Sequence, residues 1–343
     1  MIFTSDNVTG AAPEILEALV AASAGSVPSY GADPLTARVT ERLSDLFEHA
    51  VAAFPVATGT AANALALSVL TPPYGALYCH SDAHIETDEC GAPELFSGGA
   101  KLVGLPGRHG KLAAEGLRAA LDGAAIGFVH AVQPSALSLS QATEAGTVYT
   151  PAEIAALADV ARHFGLTVHM DGARFANAAA RQGCAPADLT WRAGVDVLSF
   201  GATKNGALAA EVVVFFRREL ADSFGYRRKR GGHLFSKMRF LSAQLDAYLT
   251  DGLWLRLAQH ANSMADRLAA GLAALPGAEI VHPVEANEIF IALPEPVTGG
   301  LLAQGYQFYR WEGPVVRLVT AWNTEAAAVD ALLADARRLS GAG

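Results

Sequence analysis

Five lysines occur in the chain, and the surroundings of one, Lys204, differ from the rest. Lys101, Lys111, Lys229 and Lys237 stand at strand starts, in loops or in charged runs. Lys204 closes the run Val195-Asp196-Val197-Leu198-Ser199-Phe200-Gly201-Ala202-Thr203-Lys204. An apolar run that ends in small residues puts a lysine at the carboxyl edge of a buried strand. An ammonium desolvated there gives up its proton more readily, and the free amine is a nucleophile. Schiff-base chemistry with a carbonyl cofactor needs such an amine. Position alone fits equally well a surface lysine whose stem lies on apolar neighbours.

A second run, Val168-His169-Met170-Asp171-Gly172-Ala173-Arg174, ends an apolar strand in an aspartate and turns through glycine. Ligands of open α/β sheets bind outside the carboxyl ends of the strands. A carboxylate there can keep the pyridine nitrogen of pyridoxal phosphate (PLP) protonated, which makes the ring an electron sink. A helix cap is the plainer role for Asp171 taken alone. One strand–helix–strand unit separates it from Lys204, so both can reach one crevice, and the pair favours the cofactor reading. The stretch Ala57-Thr58-Gly59-Thr60-Ala61 offers two hydroxyls and free N–H groups at a helix N-terminus, which suit a phosphate, although Thr58 could be only a cap. Neither a Walker A loop nor a GxGxxG run is present. His84, in Ser81-Asp82-Ala83-His84-Ile85-Glu86-Thr87-Asp88-Glu89, follows another apolar run. It can stack on an aromatic ring or relay a proton, with Asp88 and Glu89 near enough to orient it or to sense a substrate hydroxyl. A structural histidine is the alternative, and the spacing suits no zinc site.

These residues need strands to carry them. Short apolar runs predict strands over 51–56, 76–80, 102–105, 126–132, 166–170, 195–200 and 212–216. Their near-continuous apolar character suits a parallel sheet covered on both faces. A helix is predicted over 61–70. Another starts at Thr150-Pro151-Ala152-Glu153, where Thr150 and Glu153 form a capping box and Pro151 suits the first turn. After about residue 240 the texture changes: a long helix over 241–275, strands over 280–282, 289–293 and 315–319, and a final helix over 324–339. The expected architecture is α/β, a large domain over 1–245 with a mostly parallel sheet and a smaller α+β domain over 246–343.

Composition bounds the class. The 343 residues are 51% hydrophobic and 17% charged, which supports a large core and excludes a disordered chain. The net charge of −9 argues against a nucleic-acid partner. Cys79, Cys90 and Cys184 form no CxxC pair and suggest reduced thiols in a cytoplasmic protein. The N-terminus shows no signal-peptide pattern, so none is expected. Mean hydropathy is +0.25, yet the longest uncharged stretch, 50–79, is broken by Pro55, Gly59, Asn63, Pro72 and Pro73. A membrane partner is not expected.

Taken together, SDNVTG, SYGADPLT, ATGTAANAL, HIETDECGAPE, HMDGARFANA, SFGATKNGA and VVRLVTAW resemble the low-specificity threonine aldolases. These are PLP enzymes of fold type I, with a seven-stranded type of sheet, in the aspartate aminotransferase superfamily. The resemblance runs from Ser5 to about Asp330, in family order and spacing. It implies that Lys204 carries the cofactor, that Asp171 meets the pyridine nitrogen and that His84 stacks on the ring. Thr58, Gly59 and Thr60 then cup the phosphate, while Ser5, Arg174 and Arg317 hold the substrate carboxylate. Arginine suits that task because its fork binds a carboxylate through two bonds. Tyr30 would reach a neighbouring subunit's site. Arg230, in the basic run 226–230, would reach a neighbour's phosphate, and a solvated face is the other reading of that run. The implied assembly is a homodimer or homotetramer with shared sites, acting on a small amino acid.

One departure stands out. Many members carry Glu-Asn-Thr-His-Asn before a Gly-x-Val turn. Here Ser140-Gln141-Ala142-Thr143-Glu144 precedes Gly146-Thr147-Val148, so the second active-site histidine is missing from its usual place. His130, in the predicted strand over 126–132, is the candidate to stand in. The bases under consideration are His84, His130 and Asp88. The implied activity is cleavage of β-hydroxy-α-amino acids to glycine and an aldehyde. Serine hydroxymethyltransferase or another PLP lyase is an alternative, though no folate-site motif is seen. A non-catalytic PLP-fold protein is another, against which the joint presence of Lys204, Asp171, Arg174 and Arg317 argues.

Overall fold

A computed structural model describes residues 1–341. Its first sheet holds β1 (Ala52–Val56), β2 (Gly75–His80), β3 (Lys101–Leu105), β4 (Gln133–Ser140), β5 (Thr167–Gly172), β6 (Val197–Gly201) and β7 (Glu211–Phe215). The spatial order is β1-β7-β6-β5-β4-β2-β3. Only β7 runs against its neighbours, β1 and β6; the other pairs are parallel. β2, β6 and β7 are buried along their whole length, which is why they are written as unbroken apolar runs. The mostly parallel seven-stranded α/β sheet is the one expected.

The expected strand over 126–132 is corrected by the structure. Gly127 turns at φ +78°, and Phe128 and Val129 are exposed. The Gln133 side chain secures this turn, accepting from Gly127 N–H at 2.7 Å and donating to Ala131 O at 2.9 Å. The strand begins only at Gln133 and is rich in polar residues, so a search for apolar runs passes over it. Its buried polar groups are satisfied sideways. Ser138 Oγ bonds His169 Nδ1 at 2.9 Å, and His169 Nε2 bonds Ser199 Oγ at 3.0 Å, a rung across β4, β5 and β6. Burial pushes the His169 imidazole down to about 4, so a neutral ring donates at one nitrogen and accepts at the other.

The second sheet is antiparallel, in the order β10-β11-β9-β8: β8 (Glu279–Ile280), β9 (Glu288–Ala292), β10 (Tyr309–Arg310) and β11 (Val315–Val319). The long helix expected over 241–275 is two, Arg239–Leu249 and Leu253–Ala273. Asp251 (φ +48°) and Gly252 (φ +68°) break it, because left-handed residues cannot continue a right-handed helix. Leu253, Trp254 and Ala258 pack in the core of the large sheet, whereas Ala265, Leu268 and Leu272 pack in that of the small one. The expected boundary at 245/246 lies in the helix Arg239–Leu249. Phe3 also lies in the small core, and its carbonyl accepts from Val319 N–H at 2.8 Å.

The helix Gly59–Leu70 follows β1 and is capped by Thr58, whose hydroxyl accepts from Ala61 N–H at 3.2 Å. It is buried on nearly all sides and therefore lacks a polar face. The capping box expected at Thr150 and Glu153 is present on the helix Pro151–His163. At the carboxyl edge of the large sheet, β6 and the turn after β5 nearly touch. A Cβ on Gly201 would stand 2.5 Å from Ala173 O and 2.7 Å from Ala173 Cα. Glycine there brings the Lys204 loop against the Asp171 turn. Gly201→Ala is expected to cost about 1–3 kcal/mol of stability in denaturant unfolding. An unchanged midpoint would show that the two ends are not in backbone contact.

Candidate active site

Lys204 sits in a 3₁₀ turn, Thr203–Asn205, just beyond β6. The turn is pinned from below. Asn205 Nδ2 donates to Tyr248 Oη at 2.7 Å and to Trp254 O at 2.8 Å, and Gly206 takes φ +100°. Asp171 ends β5 and is 8% exposed. Its Oδ1 accepts from Ala173 N–H at 3.0 Å and its Oδ2 from Asn63 Nδ2 at 2.8 Å. Lys204, Asp171 and the helix N-terminus at Thr58, Gly59 and Thr60 line one cavity of about 400 Å³. The crevice expected from strand order is therefore formed within one chain.

His84 starts the short helix His84–Thr87 after β2 and also faces this cavity. Its Nδ1 lies 2.9 Å from Glu89 Oε1. The hydrogen bond to Glu89 holds the His84 imidazole above its ordinary value, and this outweighs burial. Burial in turn raises the Glu89 carboxyl. Asn63 Nδ2 also donates to Glu89 Oε1, at 2.9 Å, so one amide nitrogen serves Asp171 and Glu89 together. Two further buried carboxylates line the cavity, Glu144 and Glu211, and burial pushes each up to about 7. Glu211 Oε2 accepts from Ala202 N–H at 3.1 Å, beside the Lys204 turn.

Arg174 also lines the cavity and is held by acids. Its Nε and Nη2 donate to the two oxygens of Asp6 at 2.8 and 2.9 Å. Its Nη1 is 3.0 Å from Glu288 Oε2, close enough for an ion pair but not aligned as a hydrogen bond. Arg317 shares Glu288, donating from Nε to Oε1 at 3.2 Å. Burial alone would raise the Asp6 carboxyl, but the Arg174 guanidinium beside it brings it down to about 2.

The sequence-predicted residues thus fall into groups. Lys204, Asp171, His84, Thr58, Gly59, Thr60 and Arg174 meet at the cavity. Arg317 joins them only through Glu288, and Ser5 caps the turn Asp6–Val8, accepting from Asn7 N–H at 3.1 Å. His130 does not: with its strand absent it lies exposed in a loop, its ring 4.9 Å from that of Phe128. Asp88 does not either; it is exposed, and its neighbour Glu89 points inward. Tyr30 and Arg230 are exposed, Tyr30 with the Lys229 ammonium 5.1 Å from its ring centre. Arg228, two residues from Arg230, is the buried arginine of that helix.

Asn63, Glu144, Glu211, Asp6 and Glu288 went unread. Asn63 had a signal, since it lies four residues from Gly59 and so on the same helix face. Glu211 had one too, as a lone charge before the apolar run 212–216.

Comparison with known proteins bears on this arrangement. A model of the beta-eliminating lyase family matches residues 3–295. Low-specificity L-threonine aldolases of Pseudomonas sp. and Pseudomonas aeruginosa are each 46% identical over 342 residues, covering 99% of this chain and 98% of theirs. The structure of a Leishmania major threonine aldolase is 28% identical, with a TM-score of 0.92 and 99% of both chains covered.

The depressed Asp6 pKa carries a pH signature. Its stabilisation is complete above the ordinary value of 3.8 and is lost as pH falls through about 2. Asp6→Asn should cost about 2 kcal/mol at neutral pH, and progressively less as acid is approached. A wild-type-minus-variant difference that stays flat to about pH 2, measured by denaturant unfolding, would contradict the pairing.

Proposed function

The chain belongs to the beta-eliminating lyase family, among its low-specificity L-threonine aldolases, and from that premise we propose that it is a PLP-dependent aldolase. It cleaves L-threonine, L-allo-threonine and related β-hydroxy-α-amino acids such as phenylserine to glycine and an aldehyde, reversibly. The observation that carries this reading is the meeting of Lys204, Asp171, Arg174 and the Thr58–Gly59–Thr60 helix end on one cavity.

The residues present suit the cofactor. The helix Gly59–Leu70 is 12 residues long, and its first N–H groups have no intrahelical partner. A Cβ on Gly59 would meet nothing within 4 Å, so the approach to those donors is open to a phosphate. Asp171 supplies the carboxylate for the pyridine nitrogen, His84 a flat ring, and Lys204 an amine. Bound there, PLP supplies an electron sink for the bonding pair between Cα and Cβ. Arg174 binds the substrate carboxylate, exchanging an acid it already holds for the one that arrives. Ser5, beside Asp6, and Arg317, through Glu288, position Arg174. Tyr30 and Arg230, both exposed, are proposed to act at a neighbouring subunit's site in a homodimer or homotetramer. Of the bases expected from sequence, only His84 lines the cavity.

The reading carries a small amino acid as substrate and a cytoplasmic location, with no nucleic-acid or membrane partner. Among the described residues no helix is long and apolar enough to cross a membrane.

The test is aldehyde release by PLP-loaded protein from L-threonine, L-allo-threonine and phenylserine in turn. Release should vanish in Lys204→Ala. In Asp171→Ala turnover should fall far more than substrate affinity, because the electron sink rather than the binding clamp is lost. Undiminished turnover in either variant would remove its residue from the chemistry. A yellow, PLP-loaded protein that releases no aldehyde would point to another PLP reaction. A colourless one that ignores PLP would point to a binding role.

A further inference from the structure

Glu144 has one oxygen fully engaged and the other, among the described residues, without a partner. Oε1 accepts from His84 N–H at 2.8 Å and from Ser140 Oγ–H at 2.6 Å. Oε2 is buried and has no hydrogen-bond partner among the described residues. A buried carboxylate oxygen without a donor is costly. Glu144 lines the cavity, and an orphaned acceptor on such a residue marks the place of a missing donor.

Three carboxylates besides Asp171 line the cavity, and their neighbours sort them. Glu89 shares Asn63 with Asp171, so it belongs to the pyridine-nitrogen end, and its Oε1 already takes two donors. Glu211 sits against the Ala202–Thr203 turn beside Lys204. Glu144 lines the same cavity as Arg174, the residue proposed for the substrate carboxylate, and its charge raises the Arg174 pKa. Glu89 Oε2 also lacks a donor, but Glu89 already serves the His84 ring and the Asn63 amide, whereas Glu144 holds only the His84 backbone N–H and the Ser140 hydroxyl. The bond to Glu89 occupies His84 Nδ1 and raises the imidazole above its ordinary value.

We propose, resting on the aldolase reading, that Glu144 is the catalytic base for the β-hydroxyl, with Oε2 as the accepting atom. In cleavage the hydroxyl proton passes to Oε2 and the C–O bond becomes the aldehyde carbonyl. The Cα–Cβ bond breaks, and its electron pair stays with Cα, delocalised into the cofactor. A proton taken up at Cα completes glycine. In the reverse direction Glu144 returns its proton to the aldehyde oxygen as the bond forms. No further oxidant, reductant or co-reactant is needed.

Burial raises the Glu144 carboxyl to about 7, assisted by the Asp171 charge. The groups facing it are Asp171 and Arg174 from β5 and its end, His84 from its turn, Cys79 from β2 and Tyr149. The base form exists above that pKa, so aldehyde release should rise with pH through about 7 and then level. Aldol addition needs the acid form and should fall over the same range.

The experiment compares wild type with Glu144→Gln, which keeps an oxygen for the His84 and Ser140 donors. Aldehyde release should drop roughly 10²- to 10⁴-fold, and its acidic limb near pH 7 should disappear. Exchange of the glycine α-proton, which needs the cofactor but no β-hydroxyl, should stay within about threefold of wild type. Glu144→Asp should recover part of the aldehyde release. Infrared titration of the cofactor-free protein gives a second readout. One of two carboxyl bands titrating near pH 7 should be missing in Glu144→Gln, the other being that of Glu211. Retained aldehyde release, an unshifted pH profile or an unchanged infrared titration would overturn the assignment. So would loss of glycine exchange in parallel with aldehyde release, which marks a structural role. Failure of the aldolase reading is separable, because wild type itself would then release no aldehyde.

Discussion

One amide nitrogen, Asn63 Nδ2, donates to two carboxylates, Asp171 Oδ2 at 2.8 Å and Glu89 Oε1 at 2.9 Å, and much of the site depends on it. Like charges brought this close repel in a low-dielectric setting, and a shared donor is what lets both stay buried. Glu89 passes the constraint to His84, whose imidazole it orients and raises. Asp171 passes it to the β5 turn through Ala173 N–H. Asn63 reaches this position because the helix that carries it is buried against the sheet, one turn beyond its phosphate-suited N-terminus. The ends of β1, β2 and β5 are therefore tied by side chains as well as by the ladder.

A second knot joins the two sheets. Arg174 leaves the large sheet after β5, Glu288 and Arg317 belong to β9 and β11, and Asp6 comes from the N-terminal segment. Asn287 Nδ2 donates to Asp6 Oδ2 at 3.0 Å and closes the set. Removing one partner from such a buried cluster is destabilising, because the charges left behind are less well compensated. The guanidinium proposed to take the substrate carboxylate is thus also the strut that relates the two sheets. An arriving carboxylate enters a site already built for one, through exchange rather than through fresh burial of a lone charge.

Acid is in excess around the cavity: Asp171, Glu89, Glu144 and Glu211 against Lys204 and Arg174. Burial, assisted by the Asp171 charge, raises the Glu144 and Glu211 carboxyls to about 7. The site can then hold and release protons near neutrality without a second histidine.

Much of this was legible in the amino-acid order alone. β2, β5, β6 and β7 are buried on both faces, so their apolar runs announced them. Thr150 and Glu153 marked a helix start through local geometry that needs no tertiary contact. Lys204 and Asp171, each at the end of an apolar run, pointed to one crevice because parallel topology brings strand ends together. Tertiary structure alone decided the rest. β4 is polar, and its place between β2 and β5 depends on the Ser138–His169–Ser199 rung, which a one-dimensional pattern does not contain. His130 lost its role with the strand that was to carry it. Whether Asp88 or Glu89 faces inward turns on the direction of one residue in a short turn. Glu144 is one more acid in a loop until folding brings it to the cavity and leaves one oxygen without a donor. Residue types and spacing set which chemistry is available; burial and the pairing of distant charges set which group performs it.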